Sequence, residues 1–268
     1  MMNFSDVKLI VTDIDGTLLN SKHELNSEFY DLFRQLTSRG VLFAAASGRQ
    51  YYNLLKLFDN IRNDLYFIAE NGSYAVYREK DIFVQAMSTA VTKELLRTID
   101  TIPDTYTVLC GKRKAYIAHD TPSFIERLSM YYERYEIVKD LKAVEGDQFL
   151  KIAICDLKGA EQHSYPYFIN KSQELQVKVS GNIWLDLSHK LANKGVALEV
   201  LQKALNISPD QTMVFGDYLN DLEMMDRGTF SYAMENAHPE VKKAARYVTT
   251  SNDHEGVIRV LRQVAEVV

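Results

Sequence analysis

The sequence predicts an α/β protein, a Rossmann-like doubly wound parallel sheet core with an inserted smaller α/β cap domain. Apolar, β-rich runs alternate with segments of helical period, which is typical of parallel strands joined by crossover helices. This alternation changes around residue 73 and returns from Lys194, and an inserted unit between them has limits of roughly 83 and 188. We therefore expect a core domain made of residues 1–82 and 189–268 and a cap domain made of residues 83–188.

The first part of the core is predicted to be a βαβαβ unit with right-handed crossovers. Its first helix is delimited by Asn26 or Ser27 as the N-cap and by Gly40 as the stop. Its third strand ends at Glu70–Gly72. The predicted strands and helices alternate, in chain order, at residues 7–12, 26–39, 41–46, 49–58 and 65–69.

The insertion is predicted to contain short strands and a long tyrosine-rich helix from Ser123 to about Tyr135. Tyrosines at helical spacing more often line the edge of a core than stack on a ligand. We therefore assign none of these tyrosines to a site: Tyr116, Tyr131, Tyr132 and Tyr135. The core resumes at Lys194, and the predicted helices and strands alternate at residues 195–205, 212–215, from 220, 230–233 and from about 255.

Composition and charge limit the partners. The 268 residues are 46% hydrophobic and carry a net charge of −5, so the molecule as a whole repels nucleic acid and anionic membranes. The first residues lack the pattern of a secretion signal, and no apolar run has the length of a membrane span, so we expect a cytoplasmic protein. Cys110 and Cys155 lie in strand-like stretches without metal spacing, and we expect buried, reduced thiols.

Two acidic residues follow the first predicted strand. Asp13 and Asp15 are two positions apart in an extended segment, so their carboxyl groups point the same way, and Gly16 allows a sharp turn. Such a string also occurs in ordinary solvated turns. The buried strand before it favours a functional role, because ligands of open α/β sheets bind at the carboxyl ends of the strands.

Two further segments open predicted helices. Ser47 and Gly48 follow the second strand and offer a hydroxyl group and backbone N–H groups to an anion. Serine and glycine at such a turn are also ordinary helix caps. Lys194 opens the first helix after the insertion. A lone lysine is usually surface charge, but this one is expected at the same edge of the sheet as the segments described above.

A second acidic cluster follows the strand at residues 212–215. Asp217 and Asp221, with Asn220 next to Asp221, lead into the next helix. Carboxylates at neighbouring strand ends repel each other unless a cation lies between them, and oxygen ligands suit Mg²⁺. The sequence therefore predicts a Mg²⁺ site at this edge of the sheet.

Together these segments carry a family resemblance. DIDGTLL from Asp13, SGR from Ser47, the Lys194-Gly195 pair and GDYLND from Gly216 resemble the four motifs of the haloacid dehalogenase superfamily. The insertion resembles the large cap of its Cof-type branch, as do the segments AENG, AMENA and NDHEG, and the chain is most similar to bacterial sugar phosphatases. Tyr218 departs from the family pattern, which more often has a small residue there.

The resemblance implies a two-step phosphoryl transfer. Asp13 would be the nucleophile that forms an aspartyl-phosphate, and Asp15 would protonate the leaving alcohol and then deprotonate the attacking water. The other implied roles are Mg²⁺ binding by Asp13, the Asp15 carbonyl and Asp217, phosphate binding by Ser47, Gly48, Lys194 and Asn220, and orientation of these groups by Asp221 and Thr17.

The expected partner is a small phosphate ester selected by the cap, and the expected protein is a monomer or weak homo-oligomer. Two other functions use the same motifs. A phosphomutase would return the phosphoryl group to another hydroxyl, and the SGR segment at Ser47 resembles phosphatases more than phosphomannomutases. A non-catalytic sensor of phosphorylated metabolites would not need Asp13 and Asp15, and both are present.

Overall fold

The computed structural model describes residues 4–267, which form two β-sheets and the helices packed on them. The strands are β1 (Leu9–Asp13), β2 (Leu42–Ala46), β3 (Leu65–Ala69), β4 (Tyr74–Tyr77), β5 (Lys80–Val84), β6 (Thr105–Gly111), β7 (Ala115–Ile117), β8 (Tyr135–Ile137), β9 (Phe149–Asp156), β10 (Leu175–Gly181), β11 (Trp184–His189), β12 (Thr212–Gly216), β13 (Phe230–Met234) and β14 (Tyr247–Thr249). The α-helices are α1 (Glu28–Ser38), α2 (Tyr51–Leu57), α3 (Thr89–Ile99), α4 (Pro122–Ser129), α5 (Lys194–Leu205), α6 (Leu222–Met225), α7 (Pro239–Ala244) and α8 (Gly256–Val267).

The first sheet has the order β14-β13-β12-β1-β2-β3-β4-β5. It is parallel from β14 to β3, and the β4–β5 hairpin adds an antiparallel edge. The central strand β1 lies between β12 and β2. The chain adds β2 and β3 on one side of β1 and later adds β12, β13 and β14 on its other side, so the strand order reverses at β1. This reversal opens a crevice at the carboxyl ends of the strands. The predicted doubly wound α/β fold is confirmed.

Burial follows from this topology. Every residue of β1, β3 and β12 is buried, as expected for strands covered on both faces. Helix α1 packs on α8, and α5 packs on α6, which in turn contacts α7. The apolar faces of these helices and the strands form one large core cluster.

The second sheet has the order β10-β11-β9-β6-β7-β8 and is antiparallel except between β7 and β8. We call this sheet, with α3 and α4, the cap. Alternate residues of β9 belong to two separate apolar clusters: Ile152 and Ile154 pack with residues of α3, and Ala153 and Cys155 pack with residues of α4. Cys110 and Cys155 are free and buried, as expected.

The residues at which the chain passes between the two sheets agree with the predicted domain limits only approximately. Strand β5, in the first sheet, runs to Val84, past residue 82, and β11, in the second sheet, runs to His189, past residue 188. The division of the chain into separate core and cap domains stays a prediction.

The predicted long helix from Ser123 to Tyr135 is wrong. Helix α4 ends at Ser129, and Tyr135 begins β8. Tertiary contacts end the helix, because the backbone N–H groups of Glu133 and Arg134 donate to Oε1 of Gln50 instead of to helical carbonyls. Helical period in the sequence does not register such a competing acceptor.

Candidate active site

Asp13 and Asp15 lie at the centre of the crevice. Asp13 is the last residue of β1 and is 5% exposed, and the chain turns at Gly16, where φ is +82°. A Cβ atom at Gly16 would lie 2.4 Å from Oδ2 of Asp217. Only glycine therefore lets the Asp217 carboxylate approach the loop after β1, which brings the ends of β1 and β12 together.

Lys194 is fully buried behind Asp13. Its Nζ donates to Oδ1 of Asp13 at 2.5 Å and to Oδ1 of Asp221 at 2.7 Å. Burial opposes the charge on Lys194, but the two carboxylates raise its pKa above the ordinary value, so the side chain is an ammonium group. Oδ2 of Asp221 accepts the backbone N–H groups of Asp217 and Tyr218 at 3.0 and 3.1 Å. Asp221 thus holds both the lysine and the turn that carries Asp217.

The carboxylates fit a divalent cation. Oxygens of Asp13, Asp217 and Asp221 lie within 4.8 Å of one another, and the buried Oδ2 of Asp13 accepts no hydrogen bond from residues 4–267. Burial raises the pKa of Asp13 well above its ordinary range, and it raises that of Asp217 to about 7, with repulsion from Asp221 adding to both. A cation would remove this penalty, and carboxylate oxygens suit Mg²⁺. Because both oxygens of Asp221 are already bonded, Asp13 and Asp217 are the carboxylates left to bind the ion directly.

Other segments brace the loop after β1. The Thr17 hydroxyl donates to Oδ1 of Asp217 at 3.1 Å. The side-chain amide of Asn236 donates to the Gly16 carbonyl at 2.8 Å, and that of Asn252 donates to the Leu19 carbonyl at 2.9 Å. The AMENA and NDHEG segments, which contain these two asparagines, therefore hold the loop in place.

The predicted phosphate-binding residues surround the same crevice. Ser47 is buried at the end of β2, and its Oγ accepts the N–H of Arg49 at 3.1 Å. The Gly48 carbonyl accepts a hydrogen bond from Lys151, and the Asn220 amide donates to Oδ1 of Asn71 at 3.0 Å. These contacts show how each residue is held.

A cavity of about 410 Å³ occupies the crevice between the first sheet and the cap. Most of the predicted site residues line it, and Thr17, Lys194 and Asp221 support it from behind. Its lining from the first sheet and the loops after its strands consists of Asp13, Asp15, Ser47, Gly48, Arg49, Asn71, Asp217, Tyr218 and Asn220. Its lining from the cap consists of Tyr131, Tyr132, Lys151, Ser180, Gly181, Asn182, Trp184 and Asp186.

Sequence reasoning did not assign Arg49 to the site. Its Nε donates to Oδ2 of Asp15 at 2.7 Å, and a terminal nitrogen donates to Oδ1 at 2.5 Å. Nδ1 of His23 lies 3.5 Å from the same carboxylate. The position of Arg49 directly after Ser47 and Gly48 in the sequence could have indicated that it belongs to the site.

The aromatic lining also differs from the expectation. Tyr131 and Tyr132 line the cavity, and the ring of Tyr131 meets Trp184 edge to face, with 6.0 Å between ring centroids. Tyr116 packs in the cap core, as expected, and Tyr135 is exposed on β8. Tyr218, the residue that departs from the family pattern, lines the cavity and packs its ring edge to face on His238.

The fold and the site define a class of enzyme. A nearly buried carboxylate at a strand end, a lysine bonded to it and a carboxylate cluster fit for a cation lie in the crevice of a doubly wound sheet beneath a second sheet. This combination of groups is typical of an enzyme that transfers phosphoryl groups.

Comparison with known proteins identifies the family. The model of haloacid dehalogenase-like hydrolases matches residues 10–261, and the chain belongs to this family. It is similar to the 5-amino-6-(5-phospho-D-ribitylamino)uracil phosphatase YbjI of Escherichia coli, with 35% identity over 96% of each chain. It is a phosphoric monoester hydrolase.

Solved structures share the fold of this chain. A protein from Streptococcus mutans is 30% identical, with a TM-score of 0.87 over 96% of this chain and 98% of the other. A sugar phosphatase of subclass IIB of the superfamily has a TM-score of 0.82 over 96% of this chain and 98% of its own, and at 19% identity it shows the fold alone. Between residues 4 and 267, none of the helices has both the length and the apolar character of a membrane span.

Proposed function

We propose that this phosphatase depends on Mg²⁺ and hydrolyses small sugar or sugar-alcohol phosphates through an aspartyl-phosphate formed on Asp13. The main support for this proposal is the environment of the Asp13 carboxylate. Its carboxylate is almost completely buried, one oxygen is bonded to Lys194, and the other oxygen accepts no hydrogen bond from the described part of the chain. Such a carboxylate has one oxygen available for a new bond and a positive group beside it.

The reaction then takes two steps. A carboxylate oxygen of Asp13 attacks phosphorus, the bond to the leaving oxygen breaks, and Asp15 gives its proton to that oxygen. A water molecule next attacks phosphorus and gives a proton to Asp15, and the bond between phosphorus and Asp13 breaks, which releases phosphate. Asp13, the Asp15 carbonyl and Asp217 would hold Mg²⁺, and the bound ion would supply charge that offsets the repulsion between carboxylate and phosphate. Lys194 adds a second positive charge.

The phosphate group is held by the remaining residues. Ser47, Gly48 and Asn220 line the cavity after the ends of β2 and β12, and their hydroxyl, backbone N–H and amide groups would donate to the phosphate. Oriented donors of this kind stabilise charge at the phosphate oxygens without reorganising during the reaction.

Asp15 must change partners during the first step. In the structure its carboxylate accepts two hydrogen bonds from Arg49, so in this position it acts as an acceptor. It turns from Arg49 towards the leaving oxygen and takes up a proton from solvent, which it then donates; the attacking water of the second step restores that proton. Arg49 lines the same cavity, so the charge of the substrate phosphate replaces that of Asp15 as its partner.

Two observations support the substrate class. A cavity of about 410 Å³ has room for a pentose or hexose derivative, and its cap side combines aromatic rings with polar groups. The E. coli relative is named for a phosphorylated ribityl compound, and ribityl is a sugar-alcohol chain. Both observations favour an alcohol leaving group that carries several hydroxyls.

The test is phosphate release from ribitol 5-phosphate, glucose 6-phosphate and a nucleoside monophosphate, each with Mg²⁺ and with a chelator. Asp13→Asn is the blank, and Asp226→Asn, at an exposed position after α6, is the matched control. We expect metal-dependent release led by the first two esters, abolished only in Asp13→Asn. Borohydride reduction of the aspartyl-phosphate, which releases phosphate, should convert Asp13 to homoserine in the peptide that contains it. Transfer of phosphate to a second hydroxyl instead of water would indicate a mutase, and binding without turnover would indicate a sensor.

A further inference from the structure

A buried charged cluster connects the cap to the floor of the cavity. Lys151 of β9 has a side chain that is 4% exposed. Its Nζ lies 3.1 Å from a carboxylate oxygen of Glu70 and 3.3 Å from Oδ2 of Asp186, and it donates to the Gly48 carbonyl at 2.9 Å. A lysine that is buried to this degree needs such partners, and two of its three lie in the loops after β2 and β3.

Asp186 of β11 uses only one of its two oxygens in this cluster. Oδ2 faces Lys151 and also accepts the Asn71 amide at 2.8 Å. Among residues 4–267, none donates a hydrogen bond to Oδ1. The side chain is 8% exposed and lines the cavity. Because Oδ1 has no donor among these residues and the side chain lines the cavity, this oxygen is available to accept a hydrogen bond from whatever fills the cavity.

The charges in the cluster keep Lys151 an ammonium group. Burial opposes the charge on Lys151, yet the carboxylates of Asp186 and Glu70 raise its pKa above the ordinary value. Burial also raises the pKa of Glu70. The ammonium group is therefore a charged donor that holds Oδ2 of Asp186 in place.

The backbone beside the cluster is strained. Glu70, Asn71 and Gly72 all have left-handed φ values, of 51°, 55° and 91°. Non-glycine residues seldom adopt this region, and such strain is found at sites where it serves a purpose. Here it directs the Asn71 amide so that one end bonds Asp186 and the other end bonds Asn220. The turn therefore joins Asp186 to the phosphate-binding side of the cavity.

The neighbours of Asp186 indicate the chemistry of the ligand. Trp184 lies two residues earlier on β11, so both side chains are on the same face of the strand, and both line the cavity. A carboxylate next to an aromatic ring suits a polyhydroxylated carbon chain, because hydroxyl groups donate to the carboxylate and C–H groups pack on the ring.

We propose that Asp186 is a specificity-determining residue whose Oδ1 accepts a hydrogen bond from a hydroxyl group of the leaving alcohol. Lys151 and Asn71 hold the carboxylate in position for this contact. The proposal rests on the phosphatase function proposed above and adds the group that selects hydroxylated substrates.

The experiment compares esters that differ only in their hydroxyls, ribitol 5-phosphate against n-pentyl phosphate and glucitol 6-phosphate against n-hexyl phosphate. The measured quantity is the ratio of kcat/KM within each pair, for the wild type, Asp186→Asn and Asp147→Asn. In Asp186→Asn the carbonyl oxygen is expected to face Lys151 and Asn71, which leaves an NH₂ group towards the ligand. Asp147 is the control, because its side chain is a cap carboxylate bonded to Tyr116 that does not line the cavity.

We expect the wild type to favour the hydroxylated ester by at least about tenfold, and Asp186→Asn to lose about tenfold or more of that preference. Asp147→Asn should keep it. Wild-type rates that are equal within each pair would overturn the proposal, whether or not the variant folds. An equal loss on both esters of a pair would assign Asp186 a structural role only and would also overturn it.

A binding measurement separates this proposal from the proposed function. Calorimetry measures the affinity of ribitol 5-phosphate for Asp13→Asn and for Asp13→Asn combined with Asp186→Asn, without any turnover. Weaker binding in the double variant by about tenfold supports the contact at Asp186 even if no ester is hydrolysed. Unchanged affinity refutes the contact even if the wild type is an active phosphatase.

Discussion

Substitution of Gly72 by alanine tests how the turn after β3 positions Lys194. Gly72 has a φ of +91°, and a Cβ atom there would lie 2.2 Å from the Asn193 carbonyl oxygen and 2.7 Å from the Lys194 nitrogen. Real Cβ contacts essentially never fall under 3.0 Å, so the backbone at Asn193 and Lys194 has to move by about 0.8 Å. The conformational cost of alanine at positive φ adds about 1–2 kcal/mol.

This displacement acts on the centre of the active site. Lys194 Nζ bonds Asp13 at 2.5 Å and Asp221 at 2.7 Å, and a shift of this size stretches both bonds beyond ordinary hydrogen-bond length. Misplacement of a catalytic group by about 1 Å costs on the order of 10² in rate. We therefore expect Gly72→Ala to lose about that factor in kcat and to be destabilised by about 2–5 kcal/mol, the strain plus overpacking.

Gly40→Ala is the matched control, because Gly40 has a φ of +88° but nothing within 4 Å of its Cβ position. It carries the conformational strain alone and should lose about 1–2 kcal/mol with normal kcat. Urea unfolding midpoints give the stability of both variants, and p-nitrophenyl phosphate hydrolysis with Mg²⁺ gives kcat. If Gly72→Ala matches Gly40→Ala in both measurements, the turn does not position Lys194 and the reasoning fails.

Three further predictions concern separate parts of the molecule. Asp15→Asn should lower kcat by about 10²–10⁴-fold for alkyl phosphates and by less for p-nitrophenyl phosphate, whose leaving group needs no proton; equal losses on both esters would contradict the role of general acid. Asp217→Asn should raise the Mg²⁺ concentration for half-maximal rate by at least about tenfold, with Asp226→Asn as the control, and an unchanged requirement would remove Asp217 from the metal site. Burial raises the pKa of Cys155 to about 11 and that of Cys110 well above its ordinary value, so both thiols stay protonated at pH 8. A thiol reagent should modify neither cysteine in the native protein and should modify both cysteines in urea.

Features that depend only on residues close together in the sequence could be predicted from the sequence. Strands β1, β2 and β3 were predictable because a parallel strand covered on both faces has to be an uninterrupted apolar run. The position of Asp13 at the edge of the sheet followed from the same local patterns, since carboxyl ends of parallel strands meet at one edge. Lys194 follows β11 of the second sheet and was assigned to the site through the motif resemblance. The short elements β14 and α7 were not predicted, because a few residues leave too little pattern to detect.

Contacts between distant segments were decided by the tertiary structure alone. Lys151 appears in the sequence as one charged residue within an apolar strand, and nothing near it in the chain reveals that Glu70 and Asp186 are its partners. The pairing of Arg49 with Asp15 and the end of α4 at Ser129 likewise depend on groups far away in sequence. Local periodicity therefore determined the fold class and the chemistry at the strand ends, whereas the cap side of the cavity required the folded chain, because a buried charge is stabilised by whichever partners folding brings to it.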